Sequence, residues 1–512
     1  MLPYQDIIYD HFNPNVAIDI LIIGGGLSGL QLAKDLSARN VTNVWMFEAG
    51  QNLGFQHIYL EYDDNYAQKL WQLLIEDPSY HRPWVSNTPP HYAGTSGLRR
   101  RLGGRSLYWH GGILRLEPWA LEPTWWPESI ISDLTQGSNS EPSFYEMQER
   151  EIISDRAIRG SEFLASLLQS VGYIHAQPMP LAVHRQQISL GDVRWAAYSP
   201  LDFWKQEMER SDNKSITTLP RIACNTEVLS VLAEKGKVSG VRVRDTLTKE
   251  TYEISCPCIV LAAGTIENTR LALDVLFSGG YIEHPVLSGL SDHLVADYMY
   301  HLHLDHVPPE WNSSQIPSFI VIPGTDVSRF NLFVSVTRSN IDNNSIFIDT
   351  WGMGEQLPRP ENTVYLDPTQ SEPRLAYISA SMSKSDLEMI RCQQQALSDL
   401  RDRLLRALGP SASILGHTVY ASPQMVSDLS DALTKTLGTS TKALNPIQYV
   451  SPLGTVDHEG GTLPFGSILK DTGEFLNIRG LYAIGPCTFP RMGAANPSLT
   501  TLALAKRTAY ML

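Results

Sequence analysis

The chain has 512 residues, 43% hydrophobic and 18% charged, with a formal net charge of −14. That length exceeds what one hydrophobic core supports, so two interlocked domains are expected. The acidic balance excludes a nucleic-acid partner, because there is no basic field to release counterions. No apolar run of about 18 residues is present, so no membrane insertion is expected. The five cysteines (224, 256, 258, 392 and 487) are odd in number and scattered. They suggest no disulfide framework and a reducing interior. Cys256-Pro-Cys258 lacks a second ligand pair at zinc spacing, so no metal is expected. The first residues, Met-Leu-Pro-Tyr-Gln-Asp, lack the apolar core of a signal peptide, and a cytoplasmic location is expected.

Residues 1–17 read as a surface arm. Ile18-Asp-Ile-Leu-Ile-Ile then runs as a buried strand into Gly24-Gly-Gly-Leu-Ser-Gly29. The glycines at 24, 26 and 29 match G-x-G-x-x-G, which supplies a tight turn, close approach to a pyrophosphate and close helix–strand packing. The helix that follows points free N–H groups at the phosphates, and Leu27, Leu30, Ala33 and Leu36 recur at helical spacing, with Lys34-Asp35 facing out. Val44-Trp-Met-Phe47 is a second strand ending in Glu48, about 20 residues past the loop, where a carboxylate accepts from an adenosine ribose. Together these predict dinucleotide binding, without saying which dinucleotide.

Residues 51–92 read as an extended excursion with a short helix near 66–75. Leu98-Arg-Arg-Arg-Leu-Gly-Gly-Arg-Ser-Leu-Tyr-Trp-His-Gly-Gly112 holds four arginines and four glycines in 15 residues. Glycine admits a ligand close to backbone and arginine offers a fork to phosphate, so a ligand role is expected. Trp125-Trp-Pro127 marks a turn, and Pro142 to Ile153 a helix. Residues 221–265 alternate as a β-meander. A buried parallel strand over Cys258-Ile-Val-Leu-Ala-Ala-Gly264 and a helix from Ile266 to Leu276 follow. Short β-like runs near 299–304, 318–322, 331–336, 345–349, 363–366 and 375–379 predict a mainly antiparallel sheet. A helix starts at the capping-box pattern Ser385-Asp-Leu-Glu388 and stops at Gly409-Pro410. Residues 411–450 read as a loop over the site. Leu481-Tyr-Ala-Ile484 is a strand, and Asn496-Pro497 opens the final helix as N-cap and N1.

With these motifs in this order, the chain resembles the glucose–methanol–choline oxidoreductase family over almost its whole length. The resemblance rests on Asp19 to Gly29, Glu48-Ala-Gly50, Arg99 to Ser106, Trp126-Pro127 and Ile259 to Gly264. It continues through Gly289-Leu-Ser-Asp-His293, Glu361-Asn-Thr-Val-Tyr-Leu366, His458-Glu-Gly-Gly-Thr462 and Asn496-Pro497. It implies an α/β fold (α+β overall): a Rossmann-like FAD-binding domain interleaved with a substrate domain of mainly antiparallel sheet plus helices. The expected division is 1–295 for the cofactor domain, with insertions at about 51–95 and 150–220, then 296–450 for substrate, then a return at 451–512.

The resemblance further implies oxidation of a C–OH group of a small molecule, with O2 or another electron acceptor. His458, in the family's H-x-x-G-T segment, is implied as the base that takes the hydroxyl proton while hydride passes to flavin N5. Asn496 is implied to hold the substrate oxygen in line. Cofactor contacts are implied at Gly24, Gly26, Leu27, Ser28, Gly29, Glu48, Ala49, Arg101, Gly103, Gly104 and Ser106. Others are implied at Trp109, His110, Gly111, Val228, Ala263, Gly264, Gly485, Pro486, Asn496 and Pro497. Where some members carry the histidine that links FAD, Tyr108 stands, and His110 comes two residues late, so non-covalent FAD is expected. Trp109 is similar to the pyranose-oxidase-like branch. Cys487 near the last strand is expected to be packing. The same fold hosts other reactions, among them lyase, decarboxylase, amine oxidation and desaturation chemistry, and binding of flavin without turnover is a further alternative. Substrate identity and oligomeric state are not legible in the sequence.

Overall fold

The structure is a computed structural model that describes residues 7–12, 16–58, 77–137, 141–153, 160–189, 192–209, 219–303, 305, 307, 318–338, 345–409, 414–415 and 447–512. In chain order the main elements are β1 (Ile8–Tyr9), β2 (Ile20–Ile23), α1 (Leu27–Ala38), β3 (Val44–Phe47), α2 (Glu128–Thr135), β4 (Arg221–Ala223), β5 (Ile259–Leu261) and α3 (Thr265–Ser278). Then come β6 (His293–His303), β7 (Ser318–Ile322), β8 (Phe330–Arg338), β9 (Ser345–Glu355), α4 (Lys384–Leu408), β10 (Leu481–Ala483) and α5 (Ser498–Met511).

A six-stranded parallel sheet has the order β1-β4-β3-β2-β5-β10. Its central strands β2, β3 and β5 are buried throughout, as continuous apolar runs must be when both faces are covered. Ile23, Phe47, Leu261 and Ala483 align at the carboxyl edge, the edge where open α/β sheets bind ligands. The meander is present as the antiparallel strands Thr226–Glu234, Lys237–Asp245 and Thr251–Ser255. The described part of the N-terminal arm is not merely on the surface: β1 pairs with β4, and Phe12 packs edge-on to Trp45 and Phe47. Its apolar Ile7, Ile8 and Phe12 give it something to bury.

Asp35 does not face out. It is buried, and Lys506 of α5 reaches it at 2.5 Å and Glu151 at 2.9 Å. The two helices pack side by side, so one charge on each is removed from water together.

The second layer is antiparallel, in the order Ile414–Leu415, β6, β9, β8, β7, Gln177–Pro178, with Ile447–Val450 also on β6. Thus the two described ends of the stretch expected to be a loop at 411–450 are strands, while its middle lies outside the described residues, as does the helix expected near 66–75. A separate four-stranded sheet joins Val286–Ser288, Thr363–Leu366, Ala376–Ser379 and Trp84–Ser86, the last pair parallel.

Helix α4 lies across β6 and β9. Gln393 donates to Leu294 O at 2.9 Å and accepts from Ala296 N at 3.1 Å. A Cβ at Gly352 would sit 2.9 Å from Gln393 Cγ, so glycine permits the close approach. The helix begins two residues before the expected cap: Ser383 accepts from Asp386 N at 3.1 Å and Asp386 accepts from Ser383 N at 2.7 Å. Both boxes fit the pattern. Asp386 wins because it also accepts from Gln356 Nε2 at 3.2 Å, tying the helix start to the end of the sheet. The turn at 125–127 leads straight into α2, a helix that the sequence reading missed.

Candidate active site

A cavity of about 620 Å³ opens between the carboxyl edge of the parallel sheet and one face of the antiparallel sheet. Of the expected site residues, Gly24, Gly26, Leu27, Ser28, Glu48 and Ala49 line its first end. Gly104, Ser106, Trp109, His110, Val228, Ala263 and Gly264 line its flank. His458, Pro486, Asn496 and Pro497 line the end nearest the second sheet. Gly29, Arg101, Gly103, Gly111 and Gly485 are not on its wall.

The glycine loop is shaped by contact. Gly24 adopts φ +110°, and a Cβ there would lie 2.6 Å from Ala262 O. A Cβ at Gly29 would lie 2.1 Å from Gly24 O, so Gly29 serves the packing of α1 on the strand rather than the wall. At Gly26 a Cβ would meet nothing within 4 Å: that side is open to the cavity. Glu48 is buried, accepting from Gly25 N at 2.9 Å and Gly50 N at 2.7 Å. Burial pushes its carboxyl above the ordinary value, against those two bonds. A carboxylate has about four lone-pair sites, so capacity for a ligand remains.

The arginines of the 98–112 segment are braces. Arg99 pairs with Asp77 at 3.4 Å and lies over the Tyr108 ring. Arg100 pairs with Glu227 at 3.1 Å, and Arg101 donates to Leu53 O and Gly54 O, each at 3.2 Å. Arg105 reaches Glu459 at 2.6 Å and Asp457 at 3.0 Å, gripping both neighbours of His458. Each of the four arginines has a protein partner, and Arg99, Arg100 and Arg105 also line the cavity. Ser106 Oγ donates to Gly103 O at 2.6 Å, and Trp109 Nε1 to Tyr198 O at 2.9 Å. Burial depresses the His110 imidazole to about 4, leaving it neutral near pH 7. Cys487 is fully buried against Asn268 and is not on the cavity wall.

His458 Nδ1 lies 2.9 Å from His293 Nδ1, with the rings perpendicular at 89°. His293 Nε2 lies 3.1 Å from Gly493 O. A carbonyl only accepts, so His293 Nε2 carries the proton and its Nδ1 must accept. His458 Nδ1 therefore donates, and its Nε2, across the ring, keeps a lone pair. Burial, then His293 and Arg105, hold His458 well below the ordinary histidine value, and burial holds His293 at about 4. Both rings are neutral near pH 7. The anchoring carbonyl is itself fixed: Glu355 accepts from Gly493 N at 3.2 Å and from Arg491 at 2.6 and 2.8 Å. His293 stood in the quoted Gly289-Leu-Ser-Asp-His293 segment, but nothing in the sequence pointed it at a residue 165 positions away.

Asn496 is not the helix cap. The helix starts at Ser498 behind Pro497, with no side-chain cap bond. Asn496 Oδ1 is buried without a hydrogen-bond partner, and so is Thr501 Oγ1 one turn into α5. Both residues line the cavity. Buried polar atoms rarely stay unpaired, so this end is built for a polar ligand. An open glycine face, a helix N-terminus at each end and these orphaned groups fit a bound dinucleotide. Among the described residues no cluster of His, Cys, Asp and Glu could hold a metal, and no helix is long and apolar enough to cross a membrane.

Residues 358–505 match the sequence profile of the family described as GMC oxidoreductase. Among solved structures, the fold is that of pyridoxine 4-oxidase from Mesorbium loti: TM-score 0.63 at 16% identity, covering 97% of this chain and 99% of that one. No curated protein matches the chain in sequence.

Proposed function

We propose that the chain is an oxidoreductase of the GMC type that oxidises a C–OH group of a small molecule, with non-covalently held FAD and His458 as base, a reading supported by the profile match over residues 358–505 and the shared fold. Bound FAD supplies the two-electron acceptor for the hydride that leaves carbon. Gly24, Gly26 and Ser28 at the start of α1 would hold its diphosphate, and Glu48 its ribose. Ala263, Gly264, Pro486 and the start of α5 would lie against the flavin.

The remaining chemistry falls to side chains of this chain. An alcohol proton has a pKa far above neutral, so its removal needs a base in place. His458 Nε2 takes that proton. The reading is carried by one observation: the chain His458–His293–Gly493 O leaves a neutral imidazole with a lone pair on the cavity wall. Asn496 offers its amide to the substrate oxygen and fixes the C–H bond in line. Arg105 holds the 457–459 segment so that the ring cannot swing away. The product is the corresponding carbonyl compound.

Anaerobic addition of a panel of alcohols to the yellow holoenzyme tests this. At least one alcohol is expected to bleach the flavin and yield its aldehyde or ketone. Turnover of substrate with no bleaching at any stage overturns the reading in favour of a non-redox reaction. Admitting air then separates an oxidase, which recolours at once, from a dehydrogenase.

A further inference from the structure

The hydrogen bonds that fix His293 do not end at Gly493. Gly493 C=O and Ala494 N–H are the two sides of one planar peptide group. Its oxygen accepts from His293 Nε2 at 3.1 Å, and its N–H donates to Glu117 Oε2 at 3.0 Å. On the other side of His293, His458 Nδ1 donates to His293 Nδ1. The donors all point the same way along a row of imidazole, imidazole and peptide. That row ends on a carboxylate.

The local sequence is shaped for this approach. Gly493 adopts φ +63°, and a Cβ there would lie 2.6 Å from Glu117 Oε2 and 2.5 Å from Leu116 Cδ1. Glycine lets the peptide come up to the acid. The backbone of Glu117 is held in a turn, its carbonyl accepting from Ala120 N and Leu121 N, each at 2.9 Å. Its second carboxylate oxygen, Oε1, accepts from Asn331 Nδ2 of β8 at 2.9 Å. Asn331 Nδ2 also donates to Ala494 O at 3.0 Å. Gly324 N donates to Asn331 Oδ1 at 2.8 Å, which settles which end of the amide is oxygen. Glu117, Asn331 and both sides of Ala494 thus close a ring just ahead of Asn496.

Two acids reach this turn, and they differ. Glu355 holds Gly493 N, but its charge is met by Arg491, bidentate at 2.6 and 2.8 Å. Glu117 meets N–H groups instead. Burial raises its carboxyl above the ordinary value, the bonds from Ala494 and Asn331 pull the other way, and Glu355 adds to the rise. Hydrogen bonds aligned in series polarise one another in a low-dielectric interior. An anion at the acceptor end draws every proton in the row toward itself. It makes Gly493 O a stronger acceptor for His293, and His293 Nδ1 a stronger acceptor for His458. A positive charge that arrives on His458 with the substrate proton then lies at the head of an aligned row.

We propose that Glu117 is a positioning residue for the base, acting on His458 through the Gly493–Ala494 peptide and His293, with Asn331 holding the carboxylate in line. Glu117 takes no proton. It holds the peptide that His293 reads, and so supports the tautomer and the basicity of His458. Its consequence for rate rests on the alcohol-oxidising reading; the row itself is measured without turnover.

Holoenzyme with isotope-labelled histidine imidazoles shows the row directly by NMR. Signals lost in His293→Leu and in His458→Ala assign the imidazole N–H resonances. In Glu117→Gln an amide hydrogen must face the Ala494 N–H or the Asn331 amide, so a donor opposes a donor. The His293 Nε2–H resonance is expected to move upfield as its hydrogen bond weakens, with melting curves showing that the variant is folded. Glu117→Gln combined with Asn331→Asp conserves charge and restores a donor–acceptor pair between the two side chains, so part of the shift should return. Glu117→Asp, which keeps the charge and draws the carboxylate back by a methylene, is read the same way where Glu117→Gln does not fold. A His293 resonance that stays in place in the folded variants overturns the proposal.

Flavin reduction by an alcohol gives the second reading. Glu117→Gln is expected to slow reduction at saturating alcohol by on the order of 10-fold and to leave the half-saturating concentration unchanged. In the His293→Leu background the same change should add about 2-fold at most, because both act through one row. A full slowing retained in that background overturns the proposal, since Glu117 would then act elsewhere. If no alcohol bleaches the native flavin, the oxidation reading falls, and the histidine resonances alone decide the row.

Discussion

The two ends of the cavity are built by opposite rules. At the parallel-sheet end, charged groups are paired within the protein: Glu48 with Gly25 and Gly50, Arg99 with Asp77, Arg105 with Asp457 and Glu459, although Asp77 Oδ2 and Arg105 Nε make no hydrogen bond. The shape there is set by backbone, with Gly24 and Gly29 packed too closely for any side chain. At the antiparallel end the strands carry the shape, and polar atoms such as Asp349 Oδ1 and Asn496 Oδ1 are left without partners. An end shaped by close-packed backbone, with its charges paired within the protein, suits a resident cofactor. An end with unspent hydrogen-bonding capacity suits a substrate that arrives and leaves. His458 sits where the two meet.

Substitutions at the junction should break the arrangement most. His293→Leu removes the acceptor that fixes the His458 tautomer. Flavin reduction is expected to slow by on the order of 10- to 100-fold, as when an orienting partner is lost. The acid limb of the pH–rate profile should also move. It lies well below pH 6.5 in the native enzyme, because burial and then His293 depress His458. Loss of His293 should carry it upward, which a purely structural defect would not do. His293→Gln, whose side-chain oxygen still accepts, should recover part of the rate.

The cofactor end sharpens the contrast through two glycines three residues apart. Gly29→Ala forces a Cβ to 2.1 Å from Gly24 O and is expected to cost about 1–3 kcal/mol of stability, read in a urea melt. Gly26→Ala meets no protein atom and should leave the apoprotein melt in place. Its FAD content, read from the 450 nm to 280 nm absorbance ratio, should fall, about 450 and 280 nm being where flavin and aromatic side chains absorb. If Gly26→Ala retained full FAD, the open face would not be the cofactor's.

The smallest effect is at the substrate end. Asp349 is raised to about 7 from an ordinary 3.8, so the folded protein holds that proton more tightly than the unfolded chain. Stability is therefore lost as pH rises from about 4 to 7. Asp349→Asn removes the loss, and its melting temperature above pH 7 should exceed that of the native protein. An equal or lower value would mean that the carboxylate is already compensated.

Local rules read much of this from the chain. The strand, glycine turn and helix at 18–38 are a continuous local signal, and so is the alternation of the antiparallel strands. What local rules misplace depends on partners distant in sequence. Asp35 sits on the helix face that looks polar, yet Lys506 of the last helix makes it an interior residue. Ser385 reads as the cap, but Ser383 caps the helix, with Asp386 held by Gln356. Asn496 before a proline reads as a cap, but the helix starts later and its amide turns to the cavity. The acidic partners of Arg99, Arg100 and Arg105 lie at 77, 227, 457 and 459, too far along the chain for a local pattern to pair them. The family resemblance named His458. Only the fold joined it to His293 and Gly493.

The central claim is that His458, held neutral with its Nε2 lone pair toward the cavity, is the base of an alcohol oxidation. Anaerobic stopped-flow reduction of the flavin in His458→Ala, with the best alcohol of the panel, tests it most directly. The account predicts a rate about 10²- to 10⁴-fold below that of the native enzyme. It also predicts that the acid limb disappears and that the rate rises with pH as hydroxide replaces the base. A reduction rate equal to that of the native enzyme at neutral pH, with the acid limb intact, would contradict it.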